Sequence, residues 1–288
     1  MYDVVIIGAG PAGISAGLYT KRANKKTLII YQDFANVKNA TKIDNYYGFE
    51  NGITGEELYQ KGIKQAINLG IEMLKEEVLK ISFSNNAFLI HTTNNQIQSK
   101  AVIIAVGNQK KQPNIEGLSN FEGKGVSYCA ICDGFFYRNK NVAVIGSGTY
   151  AISEVNDLLN IVNNITILTN GDKAPDFRAD NVSILSKPIK SVRGDNKVEE
   201  IEFNDNSRIK IDGIFIAQGV AGVTDLSKKL GLIVEKNSIV TNENMETNIP
   251  GIYACGDATG GLLQISKAVY EGTKAGLSAI KYLNNNRR

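Results

Sequence analysis

Two glycine-rich turns, each directly behind a short apolar strand, constrain this chain more than any other feature. The first is Gly8-Ala9-Gly10-Pro11-Ala12-Gly13, following Tyr2-Asp3-Val4-Val5-Ile6-Ile7. The second is Gly146-Ser147-Gly148-Thr149-Tyr150-Ala151, following Asn141-Val142-Ala143-Val144-Ile145. A strand that ends in such a turn and feeds a helix lets backbone N–H groups and the helix N-terminus approach a pyrophosphate. A helical pattern from Ile14 to Ala23 and an apolar run from Thr27 to Tyr31 complete a βαβ unit after the first turn. Tyr150 to Val162 and Ile165 to Leu168 do the same after the second. Two such units in tandem predict an α/β chain with two Rossmann-like, three-layer ββα domains.

A chain of 288 residues, 43% of them hydrophobic, can bury two cores of ordinary size. No apolar run approaches the ~18 residues of a membrane span, and the first residues lack the basic flank and cleavage site of a signal peptide. A cytoplasmic location follows as the expectation. Three cysteines do not make a disulfide framework in that compartment, whereas Cys129-Ala130-Ile131-Cys132 near a βα motif reads as redox or metal chemistry. The sole histidine, His91, is remote from that pair in sequence, so a four-ligand zinc site lacks donors and no metal is expected. A net charge of +3 is too small to argue for nucleic acid but favours an acidic protein partner.

Residues 55–70 read as a helix with Leu58, Ile63, Ala66, Ile67 and Leu69 on its apolar face. Residues 78–106 read as short β segments ending in the strand Ala101 to Val106. Ile252-Tyr253-Ala254-Cys255 runs into Gly256-Asp257, and a helix from about Ser266 to Leu283 precedes a polar, frayed tail at 284–288. Cys255 reads as an inert core residue, His91 as an exposed strand residue, and Lys110-Lys111 and Lys228-Lys229 as solvated faces.

These residues carry a resemblance. Gly8 to Gly13, Asn45-Tyr46-Tyr47-Gly48-Phe49, Val126-Ser127-Tyr128-Cys129-Ala130-Ile131-Cys132-Asp133-Gly134 and Gly256-Asp257 together resemble the low-molecular-weight flavin thioredoxin reductases along nearly the whole chain. The resemblance implies a homodimer. It implies a discontinuous FAD domain at about 1–114 and 244–288, with an inserted NADPH-type domain carrying the CxxC at about 115–243. Gly8, Gly10, Pro11, Ala12 and Gly13 would cradle the FAD pyrophosphate. Asn36 and Asn45 would lie near the cofactor, Gly256 and Asp257 would meet the ribityl and phosphate, and Gln264 and Ile265 would lie beside the isoalloxazine. Cys132 would face the flavin, Cys129 would attack thioredoxin, and Asp133 would act as acid and base. Leu263, where arginine is common, and Phe34-Ala35-Asn36, where Gly-Gly-Gln is usual, depart from the pattern without removing the flavin site.

The second glycine turn departs further. Its second strand should end in an acid for an NAD ribose or in arginines for an NADP phosphate. The family's His-Arg-Arg stretch falls instead at Thr169, Asn170 and Gly171. Against the family pattern, Tyr150 stands where Ser or Thr leaves room for phosphate, the helix that family members carry between Arg178 and Ser191 is expected to be absent, and Arg178 is the one remaining phosphate candidate. The inserted domain is thus expected to be a degenerate nucleotide domain, as in the ferredoxin-dependent subgroup. That implies an acidic iron–sulfur protein as donor and thioredoxin as acceptor. The alternatives are an NAD(P)H-dependent thioredoxin reductase, a small-disulfide reductase on the same scaffold, and a flavin-containing binding protein without turnover.

Overall fold

The computed structural model describes residues 1–32, 35–84, 87–107, 113–218, 223–235 and 237–286. Phe34, Lys110, Lys111, Arg287, Arg288 and the Lys228 side chain lie outside the described residues. The chain forms two compact units, Met1–Gln109 with Gly222–Arg288, and Lys110–Ala221.

The first unit opens with β1 (Tyr2–Ile7), α1 (Pro11–Arg22) and β2 (Thr27–Tyr31), continues through α2 (Gly55–Asn68), and then lays down β3 (Glu72–Lys75), β4 (Val78–Ser84), β5 (Ala87–Thr92) and β6 (Gln96–Ile104). β3, β2, β1 and β6 run parallel in that order, and β5 and β4 extend the sheet antiparallel. Val4 to Ile7 and Ala101 to Ile104 are buried, as befits central parallel strands covered on both faces.

The second unit contains β7 (Val126–Ser127), α3 (Ala130–Asp133), β8 (Asn141–Ile145), α4 (Thr149–Leu158), β9 (Asn164–Leu168), β10 (Val182–Leu185), β11 (Ile189–Arg193), β12 (Glu200–Phe203), β13 (Arg208–Lys210) and β14 (Gly213–Ile216). A parallel sheet orders β10-β9-β8-β14-β7, and β11-β12-β13 form a separate antiparallel sheet. Residues 169–181, between β9 and β10, carry no helix.

The chain then returns to the first unit with α5 (Val223–Leu230), β15 (Val234–Glu235), β16 (Ser238–Ile239), β17 (Ile252–Ala254) and α6 (Ile265–Asn285). β17 pairs parallel with the second half of β6, Ile252 opposite Val102 and Ala254 opposite Ile104, while β5 pairs with its first half. α5 packs against β4, so residues 222–243, grouped with the insertion on sequence, belong to the first compact unit.

Two local expectations change, and one strand, β3, is unexpected. Ile67 and Leu69 are exposed; the buried stripe of α2 runs through Gly55, Tyr59, Ile63 and Ala66, and the last turn overhangs the contact. β3 has too few apolar residues, with Glu72 and Lys75 at its ends, to announce itself by period. The tail is helical through Asn285, because the ammonium of the buried Lys25 donates to Asn284 Oδ1 at 2.6 Å and ties the end down.

Candidate active site

The glycines of the first turn are fixed by space. Gly8 has φ +109°, and a Cβ there would come 2.3 Å from the Ala105 carbonyl oxygen. A Cβ on Gly13 would come 1.9 Å from the Gly8 carbonyl oxygen. Gly10 is different: a Cβ on it would meet nothing within 4 Å, so the turn opens onto free space at the start of α1. Gly10 caps α1 without a side-chain hydrogen bond, and Pro11 fills the first helical position, where a missing N–H costs nothing. The turn therefore presents a bare helix N-terminus, the arrangement that attracts phosphate.

Gly256 and Asp257 arrive at the same place from the end of β17. Gly256 has φ +73°, and a Cβ on it would come 2.8 Å from the Ala12 Cβ. Burial pushes the Asp257 carboxyl up; the Lys267 ammonium pulls it back and the Glu271 carboxylate pushes it further up. Asn45 Nδ2 donates to Gln264 Oε1 at 3.2 Å, and Gln264 is the N-cap of α6 with Ile265 its first residue. Asn36 is exposed and opens a short 3-10 turn, Asn36–Asn39. An open phosphate cradle, a half-buried carboxylate suited to sugar hydroxyls and two convergent amides are groups that fit FAD.

In the second unit Cys129 and Cys132 form a disulfide, their Cα atoms 5.3 Å apart. Cys129 caps α3 and is 1% exposed, whereas Cys132 is exposed. The Cys132 N–H donates to Cys129 Sγ at 3.2 Å. Asp133 closes the short helix, and its Oδ2 accepts from Ser127 Oγ at 2.7 Å. The Cys129 N–H in turn donates to Ser127 Oγ at 3.1 Å, so one serine positions both the cysteine and the acid. Ala130 N–H donates at 2.7 Å to Glu154 Oε2, a fully buried carboxylate on α4. Ile131, Phe135 and Phe136 stand exposed around the disulfide, at 43%, 65% and 70%. Cys255 is buried without a disulfide partner, and burial pushes its thiol far up. Among the described residues no three His, Cys, Asp or Glu side chains gather as a metal site.

In the second glycine turn Tyr150 is 1% exposed, and its hydroxyl donates to Tyr128 O at 3.5 Å. Beyond β9 the chain closes a tight turn in which Asp172 N donates to Thr169 O at 3.1 Å, with Asn170 at φ +52° and Gly171 at φ +92°. Positive φ at both central positions is what Asn-Gly favours. Thr169 is buried and donates to Asp172 O at 2.7 Å, and Asn170 Oδ1 accepts from Ile189 N at 2.7 Å. The turn swings Asp172 toward the glycines, where Ser147 Oγ donates to Asp172 Oδ2 at 3.4 Å. A carboxylate thus hydrogen-bonds to the second residue of the glycine turn. Arg178 is exposed.

Sequence reasoning missed Ser127, Glu154, Asp172, Lys267 and Glu271. The one signal available was Lys267, a cation in the first turn of a helix, where the dipole disfavours it.

Comparisons with known proteins agree with this geometry. Residues 2–272 match the family described as pyridine nucleotide-disulphide oxidoreductase. The chain is 33% identical to the thioredoxin reductase of Listeria innocua and 34% identical to that of Bacillus subtilis, in each case over 98% of this chain and 94% and 95% of the relative. Among solved structures it is similar to an atypical thioredoxin reductase from Desulfovibrio vulgaris Hildenborough, with a TM-score of 0.92, 36% identity and coverage of 100% and 99% of the two chains. A ferredoxin-flavin thioredoxin reductase from Clostridium acetobutylicum matches with a TM-score of 0.73 and 32% identity over 99% of both chains.

Proposed function

The chain belongs to the pyridine nucleotide-disulphide oxidoreductase family, and from that premise we propose that it passes electrons from reduced ferredoxin, through FAD and the Cys129–Cys132 disulfide, to thioredoxin. It is a flavin thioredoxin reductase, an oxidoreductase acting on disulfides, with FAD as cofactor. The ferredoxin step is supported by one observation: the Asp172 carboxylate lies against Ser147 of the second glycine turn, and Thr169, Asn170 and Gly171 stand where a nucleotide needs an acid or arginines. An NADP phosphate held by two arginines gains ~1.5–3 kcal/mol per charged hydrogen bond, and each 1.4 kcal/mol is tenfold in affinity. Without them nucleotide affinity falls by roughly two to four powers of ten.

In this reading the first unit holds FAD. Gly8, Gly10, Pro11, Ala12 and Gly13 would take the pyrophosphate, Gly256 and Asp257 the ribityl and phosphate, Asn45, Gln264 and Ile265 the ring side, with Asn36 at the edge of the site. FAD, when bound and reduced by the donor, would supply the electron pair that opens the disulfide. Cys132, the exposed sulfur, would receive that pair. Asp133, fixed by Ser127, protonates the thiolate that departs. Cys129 then attacks the thioredoxin disulfide; a mixed disulfide forms, and Cys132 resolves it, returning the pair to the oxidised state. Because Cys129 is buried, its attack requires that the segment around it first be uncovered. The exposed Ile131, Phe135 and Phe136 favour a protein over a small disulfide as substrate, since an apolar cluster beside a reactive group is a docking surface. The same reading carries a homodimer and a cytoplasmic setting. No helix among the described residues is long and apolar enough to cross a membrane.

Anaerobic stopped-flow mixing tests the donor. Reduced ferredoxin should bleach the flavin, at a rate that falls as salt rises. Prompt bleaching by millimolar NADPH would instead return the chain to nucleotide-dependent reductases, with Arg178 as the phosphate ligand.

A further inference from the structure

Lys267 is out of place by ordinary helix rules. It stands in the first turn of α6, where the dipole disfavours a cation, and its side chain is only 16% exposed. Its ammonium lies 2.8 Å from Gly256 O, 2.6 Å from Gly260 O and 3.0 Å from Thr259 Oγ1. It also pairs at 3.0 Å with Glu271 Oε2, one turn on, whose side chain is 12% exposed. Glu271 Oε2 accepts from Gly256 N at 2.9 Å and from Thr259 Oγ1 at 2.8 Å. The two polar groups of one peptide residue are thus gripped from the same helix: Gly256 C=O by the lysine, Gly256 N–H by the glutamate. The next residue is Asp257. The residue after Glu271 is Gly272, where a Cβ would come 2.0 Å from the Ala12 carbonyl oxygen on the first turn of α1. The grip on the Gly256 peptide and the contact with the pyrophosphate turn share one stretch of α6.

We infer that Lys267 and Glu271 are positioning residues for FAD: by holding both polar groups of Gly256 they set where Asp257 and the start of α6 stand against the first glycine turn. The inference rests on the flavin reading of that turn. A partly buried ion pair is a poor way to gain stability alone, because desolvation offsets most of the attraction. It is a good way to fix a geometry, since each charge has only one arrangement that satisfies it.

The test uses the full chain stripped of FAD. FAD affinity is read by flavin fluorescence on rebinding, and fold stability by thermal melting of the stripped protein. Lys267→Met and Glu271→Gln should each weaken FAD binding about tenfold or more, as loss of a charged hydrogen bond does. Each single variant leaves one charge partly buried and alone, so melting of the stripped chain falls in both and less in the double variant; FAD affinity is therefore compared at a temperature where every stripped variant is folded. Lys267→Arg should recover most of the affinity, and Lys267→Met with Glu271→Gln should cost less than the sum of the two. Thr259→Val, which removes a hydroxyl between the two charges without leaving either alone, gives the same readout where a charge variant does not fold. FAD affinity equal to that of the parent chain in all these variants would overturn the inference. So would a loss of affinity that only tracks lost stability and is not rescued by arginine. A parent chain that binds no FAD would overturn the flavin reading itself.

Discussion

Gly272 of α6 rests on Ala12 of α1 so closely that no side-chain carbon fits between them: a Cβ would stand 2.0 Å from the Ala12 carbonyl oxygen. One turn on, a Cβ on Gly276 would stand 2.8 Å from the Ala16 carbonyl oxygen. Two glycines four residues apart thus let the last helix lie directly on the first, and the Gly256–Asp257 turn is carried to the pyrophosphate turn by that contact. Gly272→Ala should therefore cost ~1–3 kcal/mol in urea unfolding, the range for overpacking a tight contact, and should lower the flavin content of purified protein. Unchanged stability and flavin content would show that α6 can shift without consequence.

The three cysteines should separate by exposure. After reduction, alkylation followed by mass spectrometry should mark Cys132 first, Cys129 more slowly, and Cys255 only on unfolding, since Cys129 is 1% and Cys255 0% exposed. Cys129→Ser and Cys132→Ser should each abolish thioredoxin reduction, and Cys129→Ser should trap no mixed disulfide. Cys255→Ala should retain most of the turnover.

Both turns, the cysteine pair and most of the first unit's strands were legible in the sequence because they depend on local spacing. What was not legible depends on who returns to meet whom. Glu154 shares a face of α4 with Tyr150, Ala151, Val155 and Leu158, but its charge argues against burial; it is fully buried because the backbone of Ala130 comes to it. Ser127 looks like any strand serine until Asp133 and Cys129 fold back onto it. Ile67 and Leu69 fit the apolar period of α2, but period cannot tell where a neighbouring surface stops. The Asn170-Gly171 turn was readable in principle, since that dipeptide favours positive φ, but its use in bringing Asp172 to Ser147 was not.

Asp133→Asn should lower the turnover of thioredoxin about a hundredfold or more, the usual scale for losing a general acid. Ser127→Ala, which leaves the carboxylate in place but loosens it, should cost less. Steady-state rates with thioredoxin check this: a rate unchanged in Asp133→Asn would remove Asp133 from the proton's path.

Asp257 should make the FAD-free chain sensitive to pH. Its carboxyl is pushed up, mainly by burial, so its folded value lies above its unfolded one. Below the unfolded value both states hold the proton and the penalty is absent; as pH rises through the folded value the charge must be buried and stability is lost. Asp257→Asn should thus stabilise the stripped chain at pH 7 and not at pH 3.5, while weakening FAD binding. Equal stability of variant and parent at both pH values would contradict this.

Restoring one cation should not restore nucleotide use. Asn170→Arg removes the acceptor for Ile189 N and leaves Asp172 and Tyr150 in place. It should destabilise the chain by about 1 kcal/mol and leave NADPH unable to bleach the flavin. Denaturant unfolding and anaerobic absorbance check the two halves separately.

The sheet of the first unit is finished by β17, which takes the half of β6 that β5 leaves open. During synthesis that edge has no partner until the whole intervening unit has been made. Its backbone donors and acceptors are meanwhile free to pair with any passing strand, and the long loop to be closed makes the final pairing slow. The intervening unit, whose parallel strands all lie within one stretch of chain, can fold while the first one waits. A nascent chain stalled before Ile252 would thus carry a finished redox unit joined to an unfinished one, and premature termination there would produce aggregation rather than a smaller working protein.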